Sequence, residues 1–115
     1  MKQIPARFYA LPSGREPVRD WLKGNELTAQ DRKIIGEDVQ TVEFGWPLGM
    51  PLCRQLAPGL HEVRCTLTSN RIARILFCIH EGNMVLLHGF IKKTQKTPDA
   101  DKQLALKRMK EVIKA

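Results

Sequence analysis

With 115 residues, 43% of them hydrophobic and 27% charged, the chain can bury a core without disulfides or metal and is too apolar for wholesale disorder. A formal net charge of +7 implies an anionic partner (nucleic acid, a membrane surface or an acidic protein) or else a solvated basic face. No segment approaches the about 20 apolar residues of a membrane span, and the proline-broken N-terminus lacks a signal peptide's apolar run, so the expectation is a single cytoplasmic domain over residues 1–115.

In chain order, "QIPARFYAL" is a short first strand in which Pro5 favours an edge or a strand start. "PSGREP" is turn chemistry, and Pro17 suits a helical first turn. Val18, Trp21 and Leu22 then share a helical face that Gly24 ends. Thr28 is an N-cap for a second helix, with Asp31 adding favourable charge to its first turn. Ile34, Ile35, Val39, Val42 and Phe44 follow the helical rhythm of its inner face. "GWPLGMP" breaks that helix. In "LHEVRCTL" the period changes to two, with Val63, Cys65 and Leu67 set against Glu62, Arg64 and Thr66. "RIARILFCIH" is apolar on both faces and belongs at the centre of a sheet. "EGN" is a tight turn, and "MVLLHGFIKK" returns as the next strand. Pro98 and Asp99 open a last helix striped by Leu106, Met109 and Ile113.

The order predicts an α+β domain: a small antiparallel sheet with two N-terminal helices packed on one face and a C-terminal helix. The other sheet face is then expected to be open to a partner. Cys53, Cys65 and Cys78 are odd in number and lack metal or redox spacing, which suits buried, reduced thiols.

The chemistry concentrates in cations. His61, His80 and His88 have no metal-like spacing, Glu62 and Glu81 form no evident carboxylate pair, and there is no Ser-His-Asp pattern, phosphate loop or dinucleotide fingerprint. No metal or cofactor is expected. From Lys92 to Ala115, eight Lys or Arg face three Asp or Glu. Arg74 sits inside "IARILFCI", where a guanidinium must either pair internally, with Glu62 as a candidate, or face an anion. If Glu81 and Gly82 form a two-residue turn, His80 pairs with Asn83 and Arg74 lies opposite Gly89, which would clear space beside the guanidinium. Lys92 and Lys93 follow at the strand's end. Such cations suit a phosphodiester. They hold the backbone and stabilise phosphoryl-transfer charge, a lysine of depressed pKa can act as base, and an RNA 2′-hydroxyl can be the nucleophile. The same patch also suits binding without cleavage.

"GLHEVR", "RIARILF" and "VLLHGFIKKTQKTP" followed by a helix resemble the HigB-like branch of the RelE/ParE toxin superfamily, which includes phage-derived proteins. The resemblance implies the toxin of a type II toxin–antitoxin pair, a ribosome-dependent mRNA endoribonuclease that uses the RNA 2′-hydroxyl. It implies catalytic roles for Arg64, Arg74, Lys92 and Lys93, and Lys96, Phe90 and His88 are the candidate RNA contacts. The expected partners are the ribosome, mRNA and a helix-turn-helix antitoxin, with no membrane. The helices between Arg15 and Phe44 are a candidate antitoxin surface. The chain departs from relatives that place Tyr or a His/Asp set near the scissile site: its one tyrosine is Tyr9, and its last helix has neither Tyr nor His. Base stacking would then fall to Phe90, Trp46 or ribosomal bases. Two alternatives stand beside this: a non-nucleolytic toxin on the same scaffold that binds a protein such as DNA gyrase, and a non-catalytic phage nucleic-acid-binding module.

Overall fold

A computed structural model describes residues 1–92 and 96–114, with the backbone alone for Lys92. Five strands, β1 (Ala6–Phe8), β2 (Cys53–Ala57), β3 (Leu60–Thr66), β4 (Ile72–His80) and β5 (Asn83–Lys92), form one sheet in the order β1-β5-β4-β3-β2. The helices are α1 (Pro17–Lys23), α2 (Ala29–Gly45) and α3 (Asp99–Lys114). The expected α+β class holds, with one change: β1 runs parallel to β5, so the sheet is mixed. β2 had no forecast. It is five residues long, carries Arg54 and Gln55 in its middle and is paired on one side only, so it has little apolar alternation to betray it.

Local chemistry sets the helix starts. Pro17 opens α1. The Thr28 hydroxyl accepts from the Asp31 amide, and the Asp31 carboxylate accepts from the Thr28 amide, each at 3.0 Å. This reciprocal capping box satisfies two donors that a helix start otherwise leaves open. Asp31 is also fully buried and takes an Arg71 guanidinium at 2.7 Å, which ties α2 to the turn before β4.

Side-chain alternation divides the sheet into two cores. One face, with Val63, Cys65, Ala73, Ile75, Phe77, Met84 and Leu86, packs on Val18 of α1 and Ile35, Val39 and Val42 of α2. The other, with Leu60, Leu76, Cys78, Val85, Leu87 and Phe90, packs on Ala105 and Met109 of α3. The second face is therefore not open along its length, because α3 lies on it. Each fully buried Leu or Ile here contributes roughly 1.5–3 kcal/mol of transfer free energy. In α2, Phe44 is 46% exposed, contrary to the expected stripe, and Glu43 is buried instead. The reason is that the N-terminal segment docks there: the Glu43 carboxylate accepts from the Ala6 amide at 2.7 Å and its carbonyl from Gln3 and Ile4. In α3 the stripe runs through Ala105, Met109 and Val112, while Ile113 is 58% exposed. Cys53, Cys65 and Cys78 are free and buried. Burial pushes the Cys53 and Cys78 thiols up to about 11.

The β4–β5 turn forms as expected, with Glu81 at φ 50° and Gly82 at φ 78° and His80 opposite Asn83. The register further along differs. Phe77 pairs with Leu86 and Leu76 with His88, so Leu87 is an extra residue, a β-bulge. Arg74 therefore lies opposite Phe90, and Gly89 lies opposite Ile75 on the other face. Gly89 does clear space, but for Trp21 of α1: a Cβ there would sit 2.5 Å from the indole.

Candidate functional site

The side chains of the α3 face meet the start of α3 in rows set by register. Arg54, Glu62, Leu76 and His88 form one row across β2, β3, β4 and β5, and Arg64, Arg74 and Phe90 form the next. Glu62 is the hub. Its carboxylate accepts from Arg74 at 3.3 Å, from Arg54 at 3.4 Å and from the Thr97 hydroxyl. Thr97 in turn accepts from Arg74 at 3.1 Å and from Arg54 at 3.3 Å. Two guanidinium groups thus share one carboxylate, and among these three side chains one positive charge is in excess.

The two arginines differ in access. Arg74 and Glu62 are fully buried, whereas the Arg54 side chain is 34% exposed. The internal ion pair to Glu62 is thus what occupies Arg74; a bare buried guanidinium would be untenable. Arg54 carries the surplus outward into an open cleft of about 820 Å³, whose walls include Leu56, Lys96, Thr97, Asp99 and Lys102. Asp99 and Asp101 lie in the first turn of α3, where carboxylates complement the helix dipole.

The forecast residues divide as follows. Arg64 faces the α3 side beside Arg74, is half-buried, and makes no side-chain hydrogen bond or ion pair among the described residues. It lines a separate depression with Leu52, Thr66 and Asp38 rather than the Arg54 cleft. Lys96 is exposed on the cleft wall. Phe90 is core, 9% exposed, and stacks on His88 with centroids 5.2 Å apart. His88 holds Asp101 at 2.7 Å and so pins the first turn of α3 to the sheet. The catalytic candidate Lys93 lies outside the described residues, as does the side chain of Lys92. Tyr9 lies toward the far end of α3: its hydroxyl meets Glu111, and Arg108 stands 5.5 Å over its ring. Burial, then the hydrogen bond to Glu111, raises its pKa. Arg54 and Lys102 were missed. Arg54 could be found from sequence only by recognising β2, since its pairing with Glu62 is what aims it at the cleft.

Among the described residues no three His, Cys, Asp or Glu side chains are grouped to hold a metal ion, and no helix is long and apolar enough to cross a membrane.

Sheet order, helix placement and a cation-lined cleft at the foot of the last helix define a small basic α+β protein compatible with the RelE-like fold. Residues 20–110 match the family model described as phage-derived protein Gp49-like (DUF891), and the chain belongs to that RelE/HigB-like family. No curated protein matches it.

Proposed function

We propose that the chain is the toxin of a type II toxin–antitoxin pair and acts as a HigB-like, ribosome-dependent mRNA endoribonuclease. The observation that carries this is the cleft in which Arg54, Lys96 and Lys102 surround the mouth of the Glu62–Arg74–Thr97 cluster, in a chain of the Gp49-like family. A partly exposed arginine braced from behind by a buried carboxylate is preorganised to take a phosphate oxygen. The RNA 2′-hydroxyl attacks the adjacent phosphorus, the 5′-oxygen leaves, and the products are a 2′,3′-cyclic phosphate and a 5′-hydroxyl. A base takes the 2′ proton and an acid protonates the leaving oxygen. Lys92 or Lys93 is the proposed base, Arg54 and Arg64 hold phosphate, and Arg74 positions Glu62 and Thr97 from below. A helix-turn-helix antitoxin is the proposed partner, with the α1–α2 side as its surface.

Toeprinting of mRNA on translating ribosomes tests this. Codon-positioned cuts are expected from the wild type and at least tenfold fewer from Arg54→Ala and Arg64→Ala, whose side chains reach the surface. Uncut message at toxin levels that arrest growth overturns it. The burial of Arg74 favours one alternative, a scaffold toxin that binds DNA gyrase, because it withdraws one of the proposed phosphate-binding cations. Loss of gyrase supercoiling with message intact would establish that reading.

A further inference from the structure

The loop between α2 and β2 borders a second open depression, of about 420 Å³, on the opposite face of the sheet from the basic cleft. Its walls include Trp46, Leu48, Met50, His61 and Gln55. Arg54 and Gln55 line both cavities. The reason is strand alternation: Arg54 pairs with Glu62 and points to the α3 face, whereas Gln55 pairs with His61 and points to the α2 face. β2 is the outer strand of the sheet, so the two cavities are separated by a single edge strand.

Trp46 and His61 meet edge-on, with centroids 4.9 Å apart, over buried Phe77. Core packing alone would seal such a cluster, yet Trp46 and His61 both stay half-exposed to the cavity. Burial lowers the His61 pKa, so the ring is neutral at physiological pH and presents one donor and one acceptor. The Gln55 amide nitrogen donates to the Ala57 carbonyl at 3.3 Å, and its second N–H and its oxygen add a donor and an acceptor at the rim. Pro47 and Pro51 fix φ on both arms of the loop, which lowers its ordering cost on binding.

We propose that this pocket receives a nucleobase of the same single-stranded RNA whose phosphate occupies the basic cleft, the nucleotide straddling β2. Trp46 and His61 supply the aromatic surface, and Gln55 with His61 reads the base edge. The proposal rests on the RNA-cleaving function above, and makes this loop the source of nucleotide preference.

The test is an NMR titration of the full chain with a ribotrinucleotide and with its abasic analogue, following the two tryptophan indole N–H signals, the His61 ring and the Arg54 guanidinium. Trp21, whose indole donates to Glu26 at 2.8 Å on α1, is the internal control. The base-bearing trimer is expected to shift Trp46, His61 and Arg54, to leave Trp21 unmoved, and to bind about tenfold more tightly than the abasic one. The abasic trimer should shift Arg54 alone. Gln55→Ala, at an exposed position, should weaken only the base-bearing trimer. Equal affinities with Arg54 shifts and no Trp46 response overturn the base pocket and leave the phosphate cleft standing. No shift from either trimer overturns the base pocket, while the cleavage reading stands or falls on the codon-positioned cuts above.

Discussion

At the scale of single residues, Glu62 and Arg74 were legible as a problem rather than as a solution. A guanidinium inside "IARILFCI" had to be paired or functional, and alternation put Glu62 on the polar side of β3. Both are fully buried because α3 turns that side into a second core. Arg74→Ala would take from the Glu62 carboxylate its fully buried partner, leaving Arg54 and Thr97, and is expected to cost about 3 kcal/mol, read by denaturant unfolding, whereas Arg54→Ala at the cleft mouth should cost far less. A loss of activity in Arg74→Ala alone therefore says nothing of catalysis; equal midpoints for the two variants would refute the structural role of Arg74. Asp31 makes a second case. The backbone bond from Thr28, then Arg71, hold its carboxyl below the ordinary value of 3.8. Its contribution is thus fully present above that value and is lost as pH falls through the lowered one. Asp31→Asn should melt earlier than wild type at pH 7, and the difference should close in strong acid. A gap that persists unchanged at low pH would show that ionisation is not what the residue contributes.

At the scale of elements, the helices were legible because their ends carry chemical marks: Pro17 and Gly24 for α1, Thr28 for α2, Pro98 for α3. Strands β3, β4 and β5 were legible from period and turn residues. What sequence could not reveal was the bulge at Leu87, because a bulge changes pairing without changing composition. A regular ladder from the Glu81–Gly82 turn puts Gly89 beside Arg74; the extra residue puts it under Trp21. Gly89→Ala should therefore destabilise by about 1–3 kcal/mol through overpacking. Combining it with Trp21→Leu should recover part of the loss, and strictly additive costs in that double-mutant cycle would refute the contact.

At the scale of the molecule, the charge excess was visible in composition, but its placement was not. The lysine-rich stretch after β5 drew attention in the sequence, and its Lys96 does line the cleft, but Arg54, from an edge strand with no periodic signature, was not foreseen there. That assembly needs the β2–β3 hairpin and the start of α3 together, and Arg54 and Thr97, which meet there, are 43 residues apart in the chain. If the cleft binds RNA through phosphate contacts, affinity measured by anisotropy should fall steeply between 50 and 200 mM salt, roughly tenfold or more for a few contacts, with a smaller slope in Arg54→Ala. A salt-independent affinity would argue for a partner held by apolar contact.

The bulge in β5 also sets which deletion the strand can absorb. Leu87 and His88 both face α3, while residues on either side alternate normally. Removing Leu87 would leave a regular ladder in which Leu86 still meets Phe77 and His88 still meets Leu76, each on its present face. Its loss would cost the burial of one leucine, about 2–5 kcal/mol, but no inversion. Loss of Val85 offers no such repair without shifting the bulge itself, since the turn-side residues would change face. The strand thus holds one removable residue, and the route from turn to cleft survives its excision.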